Sequence, residues 1–481
     1  MNMKFLILFF PIILLSGCVY CNQTDVEKPN IVIIFIDDMG YADPSCFGNP
    51  IMKTPNIDAL AQEGIKFTNF YVNSPICSPS RVAINTGKYP MRYKIHSYIN
   101  WSYNNKARGM ADFLDPKAPT IARALQKNGY ATAHFGKWHM GGGRDLSYAP
   151  IPSEYGFDKT FVSHVGWGDR LLPKGSTVYQ GGADSATAKT IWCEKYETTK
   201  IFVDSALTFI NRHKSQPFYV NLFPLDVHDP HNAAPGMQDK YSSVTDNPFQ
   251  QKFLAVLEET DKQIGRFVDG LDNMGLLENT IIIFTSDNGP TDWPRYYKEN
   301  EYPEGYQGEL YPPGFTGEFF GRKWSLYEGG IRMPFIIHWK GHIPAGKTDD
   351  QTIVAATDLF PSLCAIAGVK WPDDLDGKDK SQALLGTPMD VTDPIMWEYN
   401  SNPGGTIEPG NPDFISPNLA MREGKWKLLI NADSTDAQLF DLDLDPNETN
   451  DIIKQEPELA KDMATRLIAW RRTMPVAIRK D

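Results

Sequence analysis

The segment "SPICSPSRVAINTGKYP" (74–90) places Cys77, Pro79 and Arg81 at C-x-P-x-R spacing. Ser78 is a favourable N-cap, Pro79 suits a first helical turn and Gly87 suits a helix end. The spacing therefore predicts a short helix over "PSRVAINT" (79–86), with Cys77 just outside its N-terminus. Free N–H groups at such an end favour an anion, and Arg81 adds a cation near the same face. A turn cysteine beside a solvated arginine fits the same pattern, and so does a reactive thiolate.

Four more segments pair an apolar run with groups able to bind ions or move protons. "NIVIIFI" (30–36) runs into Asp37 and Asp38, and "TIIIFT" (280–285) into Ser286, Asp287, Asn288 and Gly289. "YATAHFG" (130–136) leads to Lys137, Trp138 and His139, and "PFYVNLFPL" (217–225) to Asp226, Val227, His228 and Asp229. Unbroken apolar strands belong to sheets covered on both faces, often parallel ones. In open α/β sheets the site lies at the carboxyl ends of the strands. Four distant segments are thus expected to deliver their polar groups to one place.

The elements that must hold these groups are legible as well. Amphipathic helices are predicted over 54–67, 120–130, 197–213 and 250–275, alternating with the strands as in an α/β domain. After about residue 385 the pattern becomes short strands, "PIMWEY", "NLAMRE", "KWKLLI" and "AQLFDL", with a hairpin at Gly424 and a final helix from Pro457. The expected division is residues 1–29 as leader and tether, 30–384 as a catalytic α/β domain, and 385–481 as a small antiparallel-sheet subdomain with one helix.

The chain has 481 residues and a formal net charge of −12, with no long basic run, which argues against a nucleic-acid partner. Residues 1–18 read as a signal peptide, with Lys4, an apolar stretch from Phe5 to Leu15, and Leu15-Ser16-Gly17-Cys18 resembling a bacterial lipobox. Cys18 is then the lipidated first residue of an exported protein of the periplasm or cell envelope. The six cysteines have no zinc-type spacing.

The ordered set "PNIVIIFIDDMGYADPSCFG", "TPNIDALAQEGIKFTNFYV", "CSPSR", "TGKYP", "GKWHMGG", "SDNG", "GRKWSLYEGGIRMPFIIHW", "AMREGKWKLLIN" and "QLFDLDLDPNETND" resembles the formylglycine-dependent sulfatases of the alkaline phosphatase superfamily. The resemblance runs along nearly the whole mature chain. It implies a large, mostly parallel sheet flanked by helices on both faces, with a small C-terminal α+β subdomain. It further implies that a separate maturase, oxygen-dependent or radical, oxidises Cys77 to formylglycine. The hydrated aldehyde carries two hydroxyls: one attacks the sulfate ester to give a sulfoenzyme, and loss of a proton from the other expels sulfate.

By the same resemblance Asp37, Asp38, Asp287, Asn288 and residue 77 hold a hard cation, Ca²⁺ ahead of Mg²⁺. Arg81 stabilises the hydrate, Lys137 bridges it to the sulfate, and Lys323 contacts the sulfate and its leaving oxygen. His139 deprotonates the second hydroxyl, and His228 is the general acid, with His231 its competitor or a substrate contact. Trp167, Asp169, Arg170 and Trp293, in the aromatic-rich stretches 163–170 and 293–324, are substrate candidates. The resulting expectation is a sulfatase acting on a sugar of a sulfated polysaccharide or glycan. The alternatives are a phosphate or phosphonate ester hydrolase on the same fold, and a non-catalytic glycan-binding lipoprotein.

Overall fold

The computed structural model describes residues 28–175, 188–293, 312–390, 393–399 and 408–475. The leader and lipobox, including Cys18, and most of the 293–324 stretch lie outside them.

The strands of the large sheet are β1 (Asn30–Ile36), β2 (Ile65–Tyr71), β3 (Ala131–Lys137), β4 (Lys159–Ser163), β5 (Arg170–Pro173), β6 (Thr190–Cys193), β7 (Phe218–Phe223), β8 (Thr280–Ser286), β9 (Arg332–His338), β10 (Lys347–Asp349) and β11 (Val354–Ala355). They lie in the order β10-β2-β9-β8-β1-β7-β3-β4-β5-β6, with β11 also on β2. Only β9, between β2 and β8, runs antiparallel to its neighbours. The four strands expected to carry the chemistry, β8, β1, β7 and β3, are contiguous at the centre.

Alternation along β1 explains its unbroken apolar sequence. Ile31, Ile33 and Phe35 enter one core, whereas Val32, Ile34 and Ile36 enter the other. The first core packs helices α2 (Cys77–Thr86) and α4 (Ile121–Gln126), the short α3 (Ser102–Ala107) lying in the connection between them. The second packs α1 (Pro55–Glu63), α5 (Thr198–His213) and α6 (Pro248–Asn273). The short α7 (Glu328–Ile331) leads into β9, and α8 (Leu359–Ile366) and α9 (Ser381–Leu384) add to the first core. No helix of the described residues is long and apolar enough to cross a membrane.

Strands β12 (Ile395–Glu398), β13 (Leu419–Glu423), β14 (Trp426–Ile430) and β15 (Gln438–Asp441) form an antiparallel sheet in sequence order. Its outer face packs Leu419, Met421 and Leu428 against Met463 and Leu467 of α10 (Pro457–Arg472). Its inner face sends Trp397, Ala420, Leu429 and Phe440 into the first core. Ion pairs are buried at this junction: Lys427 lies 2.8 Å from Glu328 of α7 and 2.7 Å from Glu448.

Two expectations need correction. The helix predicted over 54–67 stops at Glu63, and Ile65 begins β2. Gly64 makes the break, because a Cβ there would lie 2.2 Å from the Ile337 carbonyl oxygen. Helix α2 starts at Cys77 itself, and Ser78 does not cap it. The Ser78 hydroxyl instead accepts the Ile99 N–H at 3.0 Å.

Candidate active site

Strands β1 and β8 pair in parallel from Asn30↔Thr280 to Ile36↔Ser286, so Asp37 and Asp287 leave the sheet side by side. The exit is stitched by the Asp38 N–H donating to Asp287 Oδ1 (3.0 Å) and the Met39 N–H to Ser286 Oγ (3.0 Å). Asp38 takes a left-handed φ of 61°, a conformation that non-glycine residues adopt at an energetic cost. That turn brings two consecutive carboxylates into one site.

Helix α2 presents Cys77 and Arg81 to the same point. Arg81 is wholly buried between the Phe35 and Phe223 rings, 5.5 and 5.6 Å from their centroids. Its Nη2 lies 2.6 Å from Asp287 and 3.2 Å from Asp37. Lys137, the last residue of β3, places Nζ 2.7 Å from each oxygen of Asp37. Lys323 places Nζ 3.5 Å from Cys77 Sγ, and Cys77 Sγ lies 3.9 Å from Asp38 Oδ1. Three carboxylates thus face three cations in the interior.

Burial raises the Asp37 carboxyl, but Lys137, His228 and Arg81 outweigh it and hold Asp37 well below the usual carboxylate range. Burial pushes Asp287 up to about 7 despite Arg81. Burial also drives the Cys77 thiol up to about 12, although Lys137 and Lys323 pull the other way. An unmodified Cys77 is therefore a neutral thiol at pH 7, which disfavours a thiolate nucleophile.

The two histidines differ in their fixed bonds. His139 Nε2 donates to the Ile99 carbonyl at 3.3 Å, which leaves the buried Nδ1 without a hydrogen-bond partner among the described residues and able to accept a proton. Burial, then His164 and Lys137, lower the His139 pKa, so the ring is neutral. His228 Nδ1 donates to the Asp229 carbonyl at 2.5 Å, and Nε2 lies 3.4 Å from Asp38 Oδ2. Burial, then Lys323, lower the His228 pKa well below its ordinary value despite Asp37, so the ring is neutral with its proton on Nδ1, and a proton gained at Nε2 makes it an imidazolium facing a carboxylate. His231 lies elsewhere: Nε2 donates to the Val227 carbonyl, Nδ1 lies 3.3 Å from Asp229, and the ring packs on Phe253.

The donor set suits a hard cation. Asp37, Asp38 and Asp287 supply carboxylate oxygens, and Asn288 Oδ1 is buried without a hydrogen-bond partner among the described residues while its Nδ2 donates to Asp38. Ligand atoms of Asp37, Cys77 and Asp287 lie within 4.8 Å of one another, as do those of Asp38, Cys77 and His228.

The substrate candidates scatter. Trp167 is buried, with Nε1 donating to the Leu146 carbonyl, and Arg170 packs over its ring at 5.1 Å. Both stabilise the β4–β5 region. Asp169 pairs with Lys159 at 2.6 Å and lines a cavity of ≈ 680 Å³ beside α5, apart from the cluster around Cys77. Trp293 meets Trp324 edge-on at 6.1 Å, next to Lys323. Sequence reasoning missed a fifth strand end. Strand β4 follows β3 in the sheet, and the Ser163 and His164 carbonyls accept the N–H groups of Trp138 and His139. His164 therefore lies beside His139, a position marked by no residue pattern except that "SH" follows a strand.

The family described as Sulfatase matches residues 29–369, and that described as N-sulphoglucosamine sulphohydrolase, C-terminal, matches residues 317–473. The N-acetylgalactosamine-6-O-sulfatase of Bacteroides thetaiotaomicron is 30% identical over 519 residues, covering 95% of this chain and 96% of that protein. Human arylsulfatase A is 30% identical over 419 residues, covering 83% and 74%. The crystal structure of Ps i-CgsB in complex with k-i-k-neocarrahexaose superposes with a TM-score of 0.71 at 27% identity, covering 92% and 93%. The fold is alkaline phosphatase-like. With the family matched over most of its length and the cluster of acids, cations and histidines at its sheet ends, the chain belongs to the sulfatase family and is a sulfuric ester hydrolase.

Proposed function

We propose that this sulfatase removes a sulfate ester from a sugar of a sulfated polysaccharide or glycan, using Cys77 as formylglycine and a bound Ca²⁺. The observation that carries the reading is the convergence of Cys77, three buried carboxylates and three buried cations on one point. Two relatives favour a sugar substrate: one is named an N-acetylgalactosamine-6-O-sulfatase, and the other was crystallised in complex with k-i-k-neocarrahexaose.

Residue 77, once oxidised by a maturase and hydrated, supplies two hydroxyls on one carbon. Asp37, Asp38, Asp287 and Asn288 are the groups to hold Ca²⁺, which when bound supplies Lewis-acid polarisation and positive charge. Arg81 then orients residue 77 through the carboxylates it bridges. Lys137 and Lys323 neutralise charge on the sulfate oxygens. His228 gives its Nε2 proton to the departing sugar oxygen, and His139 accepts a proton at Nδ1 while the Ile99 carbonyl fixes its ring. Export and a lipid anchor at Cys18 would place this activity in a bacterial cell envelope, where glycan fragments are met.

The test is release of sulfate from defined sulfated saccharides, beginning with N-acetylgalactosamine 6-sulfate, beside phosphate release from a matched sugar phosphate. Sulfate release that exceeds phosphate release is expected. Faster phosphate turnover would make the chain a phosphoesterase, and saccharide binding without turnover would make it a binding protein.

A further inference from the structure

Arg144 is a cation at the edge of the site that is held by a carbonyl and not by an ion pair among the described residues. Its Nη1 donates to the Ile99 carbonyl at 2.8 Å, the same oxygen that takes the His139 Nε2–H. The Ile99 N–H in turn reaches Ser78, the neighbour of Cys77. Arg144 forms no ion pair among the described residues. The adjoining Asp145 is engaged by the backbone N–H and hydroxyl of Ser102. Burial lowers the Arg144 pKa, and the pull of Tyr98 and of the adjoining Asp145 does not make up for it.

His164 packs on His139, the ring that shares the Ile99 carbonyl with Arg144. The His164 ring packs edge-on against His139 at 4.4 Å between centroids and faces His228 at 6.3 Å. It is partly exposed, and no hydrogen bond engages its side chain among the described residues.

The backbone pays for both placements. Arg144 has φ 54° after three left-handed glycines, Gly141, Gly142 and Gly143, and His164 and Val165 have φ 47° and 58°. Asp38 and His139, two residues of the reaction centre, share this conformation. Non-glycine residues persist there when the surrounding structure imposes the geometry, and such positions gather at functional sites. The Arg144 loop is held from below by Trp167, through the Leu146 carbonyl.

We propose that Arg144 and His164 form a second anion-binding position beside the sulfate centre, which takes a carboxylate or a second sulfate carried by the substrate glycan. The proposal rests on the sulfated-glycan reading and narrows it: the preferred substrate bears at least two anionic groups close together. An arginine fork matches either oxyanion in bidentate fashion, and an imidazole N–H adds a further donor.

The experiment compares three ligands: N-acetylgalactosamine 6-sulfate, its 4,6-disulfate, and the disaccharide in which a uronate is linked to the 6-sulfated sugar. Wild type, Arg144→Asn, Arg144→Lys and His164→Asn are measured for kcat/KM. Binding to the same substitutions in a calcium-loaded Cys77→Ala background is measured by calorimetry. Asparagine removes the charge and tolerates the left-handed backbone. Arg144→Asn should weaken binding and kcat/KM for at least one doubly anionic ligand by about 10–100-fold more than for the monosulfate, the scale of a hydrogen bond to a charged group. Arg144→Lys should recover part of that difference, and the difference should shrink in high salt. Whether the disulfate or the uronate disaccharide loses more identifies the anion. Equal losses on all three ligands would overturn the proposal and leave Arg144 as a positioning residue for Ile99 and His139. Should no sulfate ester be hydrolysed, the sulfatase reading falls, yet the calorimetry still decides the anion position.

Discussion

Lys323 Nζ lies 2.6 Å from each carboxylate oxygen of Asp38, across 285 residues of sequence. A cation bound by Asp38 must share those oxygens with an ammonium, so the site separates ligands from charge neighbours. Asp37→Ala and Asp287→Ala should each lose the metal and the activity. Lys323→Ala should keep the metal and still lose turnover, by about 10²–10³-fold if it stabilises charge in the transition state. Metal content of the purified variants, by elemental analysis, checks this; calcium retained by Asp37→Ala and Asp287→Ala would remove both from the ligand set.

Maturation of Cys77, as proposed, would leave a mass signature. The active protein should yield a peptide ~18 Da lighter than its cysteine form, the change from thiol to aldehyde. Cys77→Ala should fold and be inert. Full turnover by protein that carries only the thiol would exclude the modification.

The leaving group separates the two histidines. A sugar alkoxide needs a proton and a nitrophenolate does not. His228→Ala should therefore slow sugar sulfate hydrolysis by about 10²–10⁴-fold, and slow cleavage of an activated aryl sulfate far less. His139→Ala should instead give a burst and then a stall on the aryl substrate, because the proton acceptor at Nδ1 is gone. Rapid-quench kinetics on both substrates read this, and equal losses for His228→Ala would take away its role as acid.

Stability should depend on pH through Glu448. Burial, despite Lys427 and reinforced by Glu328, pushes its carboxyl up to about 7, above the ordinary value of 4.5. The folded chain then holds a proton that the unfolded chain has released between those values. Its contribution is present below about pH 4.5 and is lost as pH rises through about 7, so stability from this group falls over that window. Glu448→Gln should flatten that slope in denaturant titrations between pH 5 and 8. An unchanged slope would show that Lys427 keeps Glu448 ionised.

The strand ends were legible because β1, β3, β7 and β8 are buried on both faces, which writes an unbroken apolar run that stops where the polar groups begin. The small sheet was legible through its turns, Gly424 with φ 56° among them. Trp167 was not, because an aromatic in "SHVGWGDR" reads the same whether it faces a ligand or the Leu146 carbonyl. Ser78 was misread as a cap because its partner, the Ile99 N–H, lies 21 residues away. His164 and Arg144 escaped notice because left-handed residues follow no period. The sequence favours His228 over His231 by its place before Asp229-Pro230, and of the two, which both follow β7, His228 is the one with an imidazole nitrogen 3.4 Å from Asp38 Oδ2.

The pairing of Asn30 with Thr280 spans 250 residues and sets a clock on the thiol at position 77. During synthesis α2 is complete long before β8 exists, so β1 waits with one edge uncovered and Cys77 stays within reach. Docking of β8 and then of the Lys323 segment closes that interval, and in the finished fold Cys77 is only 2% exposed. Under the proposed formylglycine reading a maturing enzyme would race chain compaction, and such long-range pairings are the slow ones to form. The proportion of working molecules in a culture should then follow the ratio of two rates, oxidation and closure. Substitutions that hasten β8 docking would yield stable, well-folded and inactive protein.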